Sequence, residues 1–251
     1  MKKFSIKNIP YKKILLIIVT LLFLFSLYKI VRYQISKLDA KKEQETLIND
    51  YIIIEKNSDG EEQFIVDFDS LLKVNPNVRG WIRYNNNKVS YPIVQAEDNN
   101  YYLDHDFTKK PNSNGAIFMD YRNESLEDCN VVIFGHNGPA NYMFGSLKNA
   151  LKGEFFGNAG NDIIEIIDTE NNSHYYEVFS VYETYKEEYY ITTSFESNEK
   201  YQEFLNIIKA RSVIKFDVDL SNTESIVTLS TCVGFGDTEK RLVVHARTLE
   251  P

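Results

Sequence analysis

The sequence predicts a mostly β domain, a barrel or sandwich of about eight strands, behind a basic and apolar leading segment. Eight short runs rich in Val, Ile and aromatic residues are separated by Asn, Gly, Asp and Pro clusters, as strands are by turns. The 17 Tyr and 16 Phe residues favour extended structure. Only two segments within this stretch carry apolar residues at helical spacing. Many short strands with few helices between them suit a mostly antiparallel barrel or sandwich.

The leading segment is apolar from Ile14 to Tyr28, broken only by Thr20 and Ser26, and Lys2, Lys3, Lys7, Lys12 and Lys13 precede it. Fifteen helical residues rise about 22 Å, short of a hydrocarbon core of roughly 30 Å. Continuing to Ile35 closes the gap if Lys29 and Arg32 snorkel to the interface. No small-residue cleavage site follows, so the segment reads as a retained anchor rather than a cleaved signal peptide. Its basic flank assigns the N-terminus to the cytoplasm and the later residues to the outside. Three parts follow: a basic tail and transmembrane anchor at 1–35, a stalk or linker at 36–63, and a folded domain at 64–251.

Within the stalk, Ser36 to Asp50 is charged and rich in helix formers, and 57–62 is polar and turn-forming. Asp67 is placed to cap a short helix ending before Pro76. The eight strands are Trp81–Tyr84, Val89–Val94, Ala116–Met119, Val131–Gly135, Ile163–Ile167, Tyr175–Glu183, Ile226–Thr231 and Leu242–Thr248. Two helices interrupt them. Met143 to Lys152 has a stripe of Phe144, Leu147 and Leu151, and Asn198 to Arg211 has Tyr201, Phe204, Leu205 and Ile208. Both stripes read as core packing.

Charge is unevenly shared. Residues 1–35 hold seven Lys or Arg and no acid, leaving 21 basic against 36 acidic residues, a net of −15, in the remainder. Such a domain has no electrostatic reason to bind nucleic acid, whereas a cationic or amine-bearing partner is tolerated.

Two apolar runs end on reactive side chains: 131–136 on His136, and 226–232 on Cys232. Arg241 opens a third, Leu242 to Ala246. A free thiol is only about 3% thiolate at neutral pH, so it needs a base or positive charge nearby, which His136 and Arg241 are suited to provide. Thiol, imidazole and guanidinium at strand ends are the parts for nucleophilic attack on a carbonyl. The other histidines have weaker claims: His105 and His174 fall in polar turns, and His245 alternates within the last strand. Cys129 lies in a polar turn and reads as a surface thiol, not a disulfide partner of Cys232. No metal site is expected, since close pairs such as Cys-x-x-Cys or His-x-x-x-His are missing from the sequence.

The chain resembles the class B sortases, membrane-anchored cysteine transpeptidases of Gram-positive bacteria. Thr228-Leu-Ser-Thr-Cys232 is similar to the family's TLxTC signature, Arg241 to its arginine and His136 to its histidine. Gly80-Trp-Ile82, Tyr91-Pro-Ile-Val-Gln95, 98–103, Asp106-Phe107 and 118–123 carry the likeness further, over about Phe64 to Leu249. The resemblance implies an eight-stranded sortase barrel with N-terminal helices, and a helix walling the substrate groove in the long segment before the Cys-bearing strand. It implies catalysis by His136, Cys232 and Arg241, with Thr231 and Ser230 at the substrate. Cys232 would form a thioester with the Thr of an Asn-Pro-x-Thr-like sorting motif in a secreted protein. An amine of peptidoglycan or its lipid-linked precursor would resolve it, without a cofactor. A hydrolytic cysteine peptidase uses the same parts, and a tethered binding protein with an inert groove is the rival of another class.

Overall fold

The computed structural model describes residues 11–56, 60, 62–84, 89–138, 141–152, 162–186, 189–221, 223–233 and 239–249. The polar turn expected at 57–62 and the small residues after Val233 lie largely outside them.

A single helix, α1 (Tyr11–Tyr51), runs through both the apolar segment and the charged one behind it. Its 41 residues rise about 62 Å. Residues from Ile14 to Ile35 are exposed throughout their apolar positions, and the helix is long and apolar enough to cross a membrane. Only its last turns touch the domain, burying Ala40 and Leu47, two helical turns apart on one face. A hairpin of β1 (Ile52–Lys56) and β2 (Glu62–Val66) follows, which the sequence reading did not anticipate. The short helix α2 (Phe68–Val74) starts as expected, with the Asp67 carboxylate accepting from the Ser70 amide at 3.0 Å.

All eight anticipated strands are present: β3 (Val78–Tyr84), β4 (Val89–Val94), β5 (Ile117–Met119), β6 (Asn130–Phe134), β7 (Ile163–Asp168), β8 (Ser173–Tyr185), β9 (Ile226–Cys232) and β10 (Lys240–Thr248). They close into a barrel in the order β10-β8-β7-β3-β4-β5-β6-β9. Closure leaves no sheet edge to be covered. Pairing is mixed rather than uniformly antiparallel, because β4 runs parallel to β5 and β6 parallel to β9. The second parallel pair matters most, since it directs the C-terminal ends of β6 and β9 to the same rim.

Trp81, Ile82, Ile93, Val131, Ile133, Leu229 and Val244 are fully buried in the main core. A second cluster lies behind β8–β10, where α3 (Asn198–Ala210) buries Tyr201, Phe204, Leu205 and Ile208 against Phe179, Ile226 and Val243. The expected helix at 143–152 is instead a 3-10 helix over Phe144–Leu151. Its fully buried apolar residues Phe144, Leu147 and Ala150 recur every third position, the 3-10 period, and two of the three also fit an α-helical stripe.

Candidate active site

Parallel pairing of β6 with β9 sets Phe134 beside Ser230, and the Gly135 amide donates to the Ser230 carbonyl at 3.2 Å. Neighbouring strands lie about 4.8 Å apart. Two residues further along each strand come His136 and Cys232, so the imidazole and thiol leave the same rim side by side. Asn137, next after the histidine, donates from its side chain to the carbonyl of Val233, next after the cysteine, at 3.2 Å. On the other flank of β9, Arg241 is the direct antiparallel partner of Cys232. Opposed residues share a face, with Cβ atoms about 5 Å apart.

His136, Cys232 and Arg241 thus line one cavity of about 220 Å³. Asn99 and Leu103 line it as a wall from the segment after β4, Lys186, Tyr190 and Ile191 as a wall from the segment after β8, and Phe118 and Phe134 contribute apolar surface. Cys232 is a free, half-buried thiol, and Cys129 is free and exposed. Both therefore stand as thiols.

The imidazole is oriented by backbone. His136 Nε2 lies 2.7 Å from the Leu103 carbonyl. A carbonyl only accepts, so Nε2 carries the proton and donates, leaving Nδ1 for chemistry. No third orienting residue was identifiable in the sequence because the group that orients His136 is a main-chain oxygen.

Thr231 and Ser230 take different positions. The Ser230 hydroxyl shares a 3.1 Å hydrogen bond with the Tyr190 hydroxyl, joining β9 to the cleft wall. Thr231 alternates with it, opposite Leu242 and on the face of Leu229, and its buried hydroxyl has no partner among the described residues. Its side chain packs on the core side of the strand, and both Thr231 and Ser230 line the cavity.

The remaining histidines are accounted for elsewhere. His245 is fully buried on β10 between the Tyr182 hydroxyl, 3.0 Å from Nε2, and Thr228 Oγ1, 2.8 Å from Nδ1. Burial, reinforced by the nearby Arg211 charge, pushes its pKa down to about 3, so it is neutral and structural. His174 lies not in a turn but within β8, 3.2 Å from an Asp168 oxygen. His105 stacks on Tyr101 at 4.3 Å between ring centres.

The resemblance implied that the helix before β9 walls the groove. Among the described residues of that excursion, the ones lining the cleft are Lys186, Tyr190 and Ile191, whereas α3 supports them from behind through Phe204 against Tyr189. The contributions of Asn99, Leu103, Tyr190 and Ile191 went unread in the sequence, since no periodicity marks a turn as a cleft wall.

Comparison with known proteins identifies the family. The sortase domain family matches residues 82–249. Sortase B of Staphylococcus aureus is 35% identical over 240 residues, covering 95% of each chain. Among solved structures, a sortase B from Bacillus anthracis in complex with AAEK1 superposes with a TM-score of 0.70 at 34% identity, covering 86% of this chain and 99% of that one. A Staphylococcus aureus sortase B–substrate complex gives 0.66 at 38% identity, covering 73% and 85%.

Proposed function

The chain belongs to the sortase family of cysteine transpeptidases, among its class B members, and from that premise we propose that it joins the Thr carbonyl of a secreted protein's sorting motif to a peptidoglycan amine. The observation that carries the proposal is the convergence of Cys232, His136 and Arg241 on one cavity.

The reaction runs in two steps. Cys232 passes its proton to His136 Nδ1, and the resulting thiolate attacks the Thr carbonyl carbon of an Asn-Pro-x-Thr-like motif. As the C–N bond breaks, His136 gives a proton to the leaving amine, and a thioester remains on Cys232. An incoming amine, from peptidoglycan or its lipid-linked precursor, then attacks the thioester while His136 takes up its proton, and the thiolate departs. Arg241 faces the developing oxyanion and holds the substrate. Ser230 supports the peptide side of the cleft through Tyr190, and Thr231 supports the strand carrying the nucleophile.

The same reading assigns residues 1–35 to a cytoplasmic tail and single membrane anchor, 36–63 to a stalk, and 64–251 to an extracellular catalytic domain. Exposed apolar surface along α1, with basic residues ahead of it, supports the anchor. Tethering raises the enzyme's effective concentration near substrates that arrive at the same membrane face.

The test incubates the full-length protein in detergent with Asn-Pro-x-Thr peptides, with and without triglycine. Amine-dependent ligation product and a thioester adduct on Cys232, detected by mass spectrometry and lost in Cys232→Ala, are expected. Cleaved peptide alone under every acceptor condition would make the protein a hydrolase, and unchanged turnover in Cys232→Ala would remove the nucleophile assignment.

A further inference from the structure

The two walls of the cleft come from distant parts of the chain, yet both are fastened to one carboxylate. Asp120 follows β5 and is fully buried. Its Oδ2 accepts from Asn99 Nδ2 at 2.9 Å, and Asn99 Oδ1 in turn accepts from the Tyr121 amide at 3.0 Å, so that wall is gripped at both ends of one side chain. On the opposite side Arg122 binds Asp120 bidentately, Nε to Oδ1 at 2.8 Å and Nη2 to Oδ2 at 2.7 Å. The same Nη2 donates to the Ile191 carbonyl at 2.8 Å. Asn130 assists from beneath, donating to the Thr192 carbonyl at 2.9 Å.

Asn99 and Ile191 both line the catalytic cavity, while Asp120 and Arg122 do not. The first wall also contains Leu103, whose carbonyl orients His136. A buried carboxylate that accepts from both sides is costly unless every partner is in place, which makes this arrangement a rigid cross-tie rather than a passive surface pair. Burial opposes the charge, but Arg122's side chain and amide together with Asn99 hold the Asp120 carboxyl below the ordinary carboxylate range.

Resting on the peptide-cleaving function argued above, we propose that Asp120 is a positioning residue that sets the spacing of the two cleft walls through Asn99 and Arg122, and thereby the affinity for extended peptide. Neither Asp120 nor Arg122 touches the reacting atoms, so their loss acts on KM before kcat. Arg122→Lys is the mild variant: it keeps the charge, but one ammonium nitrogen cannot span two carboxylate oxygens and the Ile191 carbonyl.

The experiment uses the full-length protein in detergent and its Asp120→Asn, Arg122→Ala and Arg122→Lys variants. Peptide kinetics are measured on a quenched fluorescent Asn-Pro-x-Thr peptide, and amide hydrogen exchange is followed at 98–103 and 189–192. Arg122→Ala is expected to raise KM at least tenfold with kcat within threefold, Arg122→Lys to follow in the same direction, and Asp120→Asn to speed exchange at both walls. Unchanged KM in the Arg122 variants, a fall in kcat alone, or faster exchange at one wall only in Asp120→Asn would overturn the proposal. If the unmodified protein cleaves no peptide, the functional reading fails separately. The exchange measurement then decides the cross-tie: acceleration at both walls in Asp120→Asn upholds it, and at one wall or neither refutes it.

Discussion

Asn137 donates a hydrogen bond from its side chain to the Val233 carbonyl, tying the residue after the imidazole to the residue after the thiol. The bond is 3.2 Å long and spans 96 positions of sequence. Parallel pairing of β6 and β9 ends at Phe134 and Ser230, so the last residues before the chemistry depend on this contact to stay together. Asn137→Ala is expected to cost about 1 kcal/mol of stability, the worth of one ordinary hydrogen bond. Misplacing catalytic groups by about 1 Å can cost roughly a hundredfold in rate. Peptide kinetics and a melting curve on the same sample should therefore show kcat/KM down at least tenfold with the melting temperature lowered only a few degrees. A loss of activity below twofold would mean that the strands alone hold the pair.

Arg241 is the cross-strand partner of Cys232 and lines the same cavity, and the proposed reaction puts its guanidinium beside the carbonyl under attack. Losing one donor to a developing oxyanion costs about 10² to 10³-fold in kcat. Arg241→Ala is expected to fall in that range, and Arg241→Lys to recover part of it by charge alone. A loss below tenfold in Arg241→Ala would reduce the residue to a structural role.

Strands were legible because each buried run ends at recognisable turn residues, and Cys232 and His136 stood out because each terminates such a run. Arg241 was legible as a neighbouring strand's opening residue. The register that sets it opposite Cys232, rather than one place along and on the other face, depends on pairing that a sequence does not display. The walls escaped for a related reason. Leu103 and Ile191 act through their carbonyls, and a main-chain oxygen has no side-chain signature. The stripe of Phe144, Leu147 and Leu151 read as α-helical because its first two residues fit both periods; the third fully buried apolar residue is Ala150, where the 3-10 period puts it. The β1–β2 hairpin was hidden because its two short runs flank a polar turn directly behind a charged helical stretch, so the whole of 36–63 read as stalk.

Gly115 supports the imidazole from below. Its φ of +61° is in the left-handed region, and a Cβ there would meet the Tyr102 carbonyl, His136 Cδ2 at 2.9 Å and the Leu103 carbonyl at 2.9 Å. An L-residue in that backbone region costs roughly 1–2 kcal/mol before any clash is counted. Gly115→Ala is expected to displace both the ring and the carbonyl that orients it, lowering kcat/KM at least tenfold along with the melting temperature. Gly60 provides the control: its φ is +83°, and a Cβ there has nothing within 4 Å. Gly60→Ala should carry comparable backbone strain with kcat/KM unchanged. Equal activity in the two variants would show that the packing beneath His136 is immaterial.

His245 makes the domain acid-sensitive through a group that takes no part in the chemistry. Its pKa is pushed down to about 3 by burial and by the Arg211 charge, against 6.5 for an unperturbed histidine. Above pH 6.5 both folded and unfolded chains hold it neutral, so it adds no pH dependence there. Between 6.5 and about 3 only the unfolded chain takes up the proton, and stability falls as pH falls, by about 1.4 kcal/mol per pH unit. At pH 5 the loss from this one residue is about 2 kcal/mol, or roughly 4–8 °C in melting temperature for a domain of this size. His245→Gln keeps a polar side chain between Tyr182 and Thr228 but does not titrate. The difference in melting temperature between pH 7 and pH 5 should therefore be several degrees smaller in His245→Gln than in the unmodified protein. Carboxylates such as Asp120 titrate in both proteins and cancel in the comparison. Identical acid sensitivity in the two would mean that His245 is protonated within the fold, with both Tyr182 and Thr228 accepting from the imidazolium.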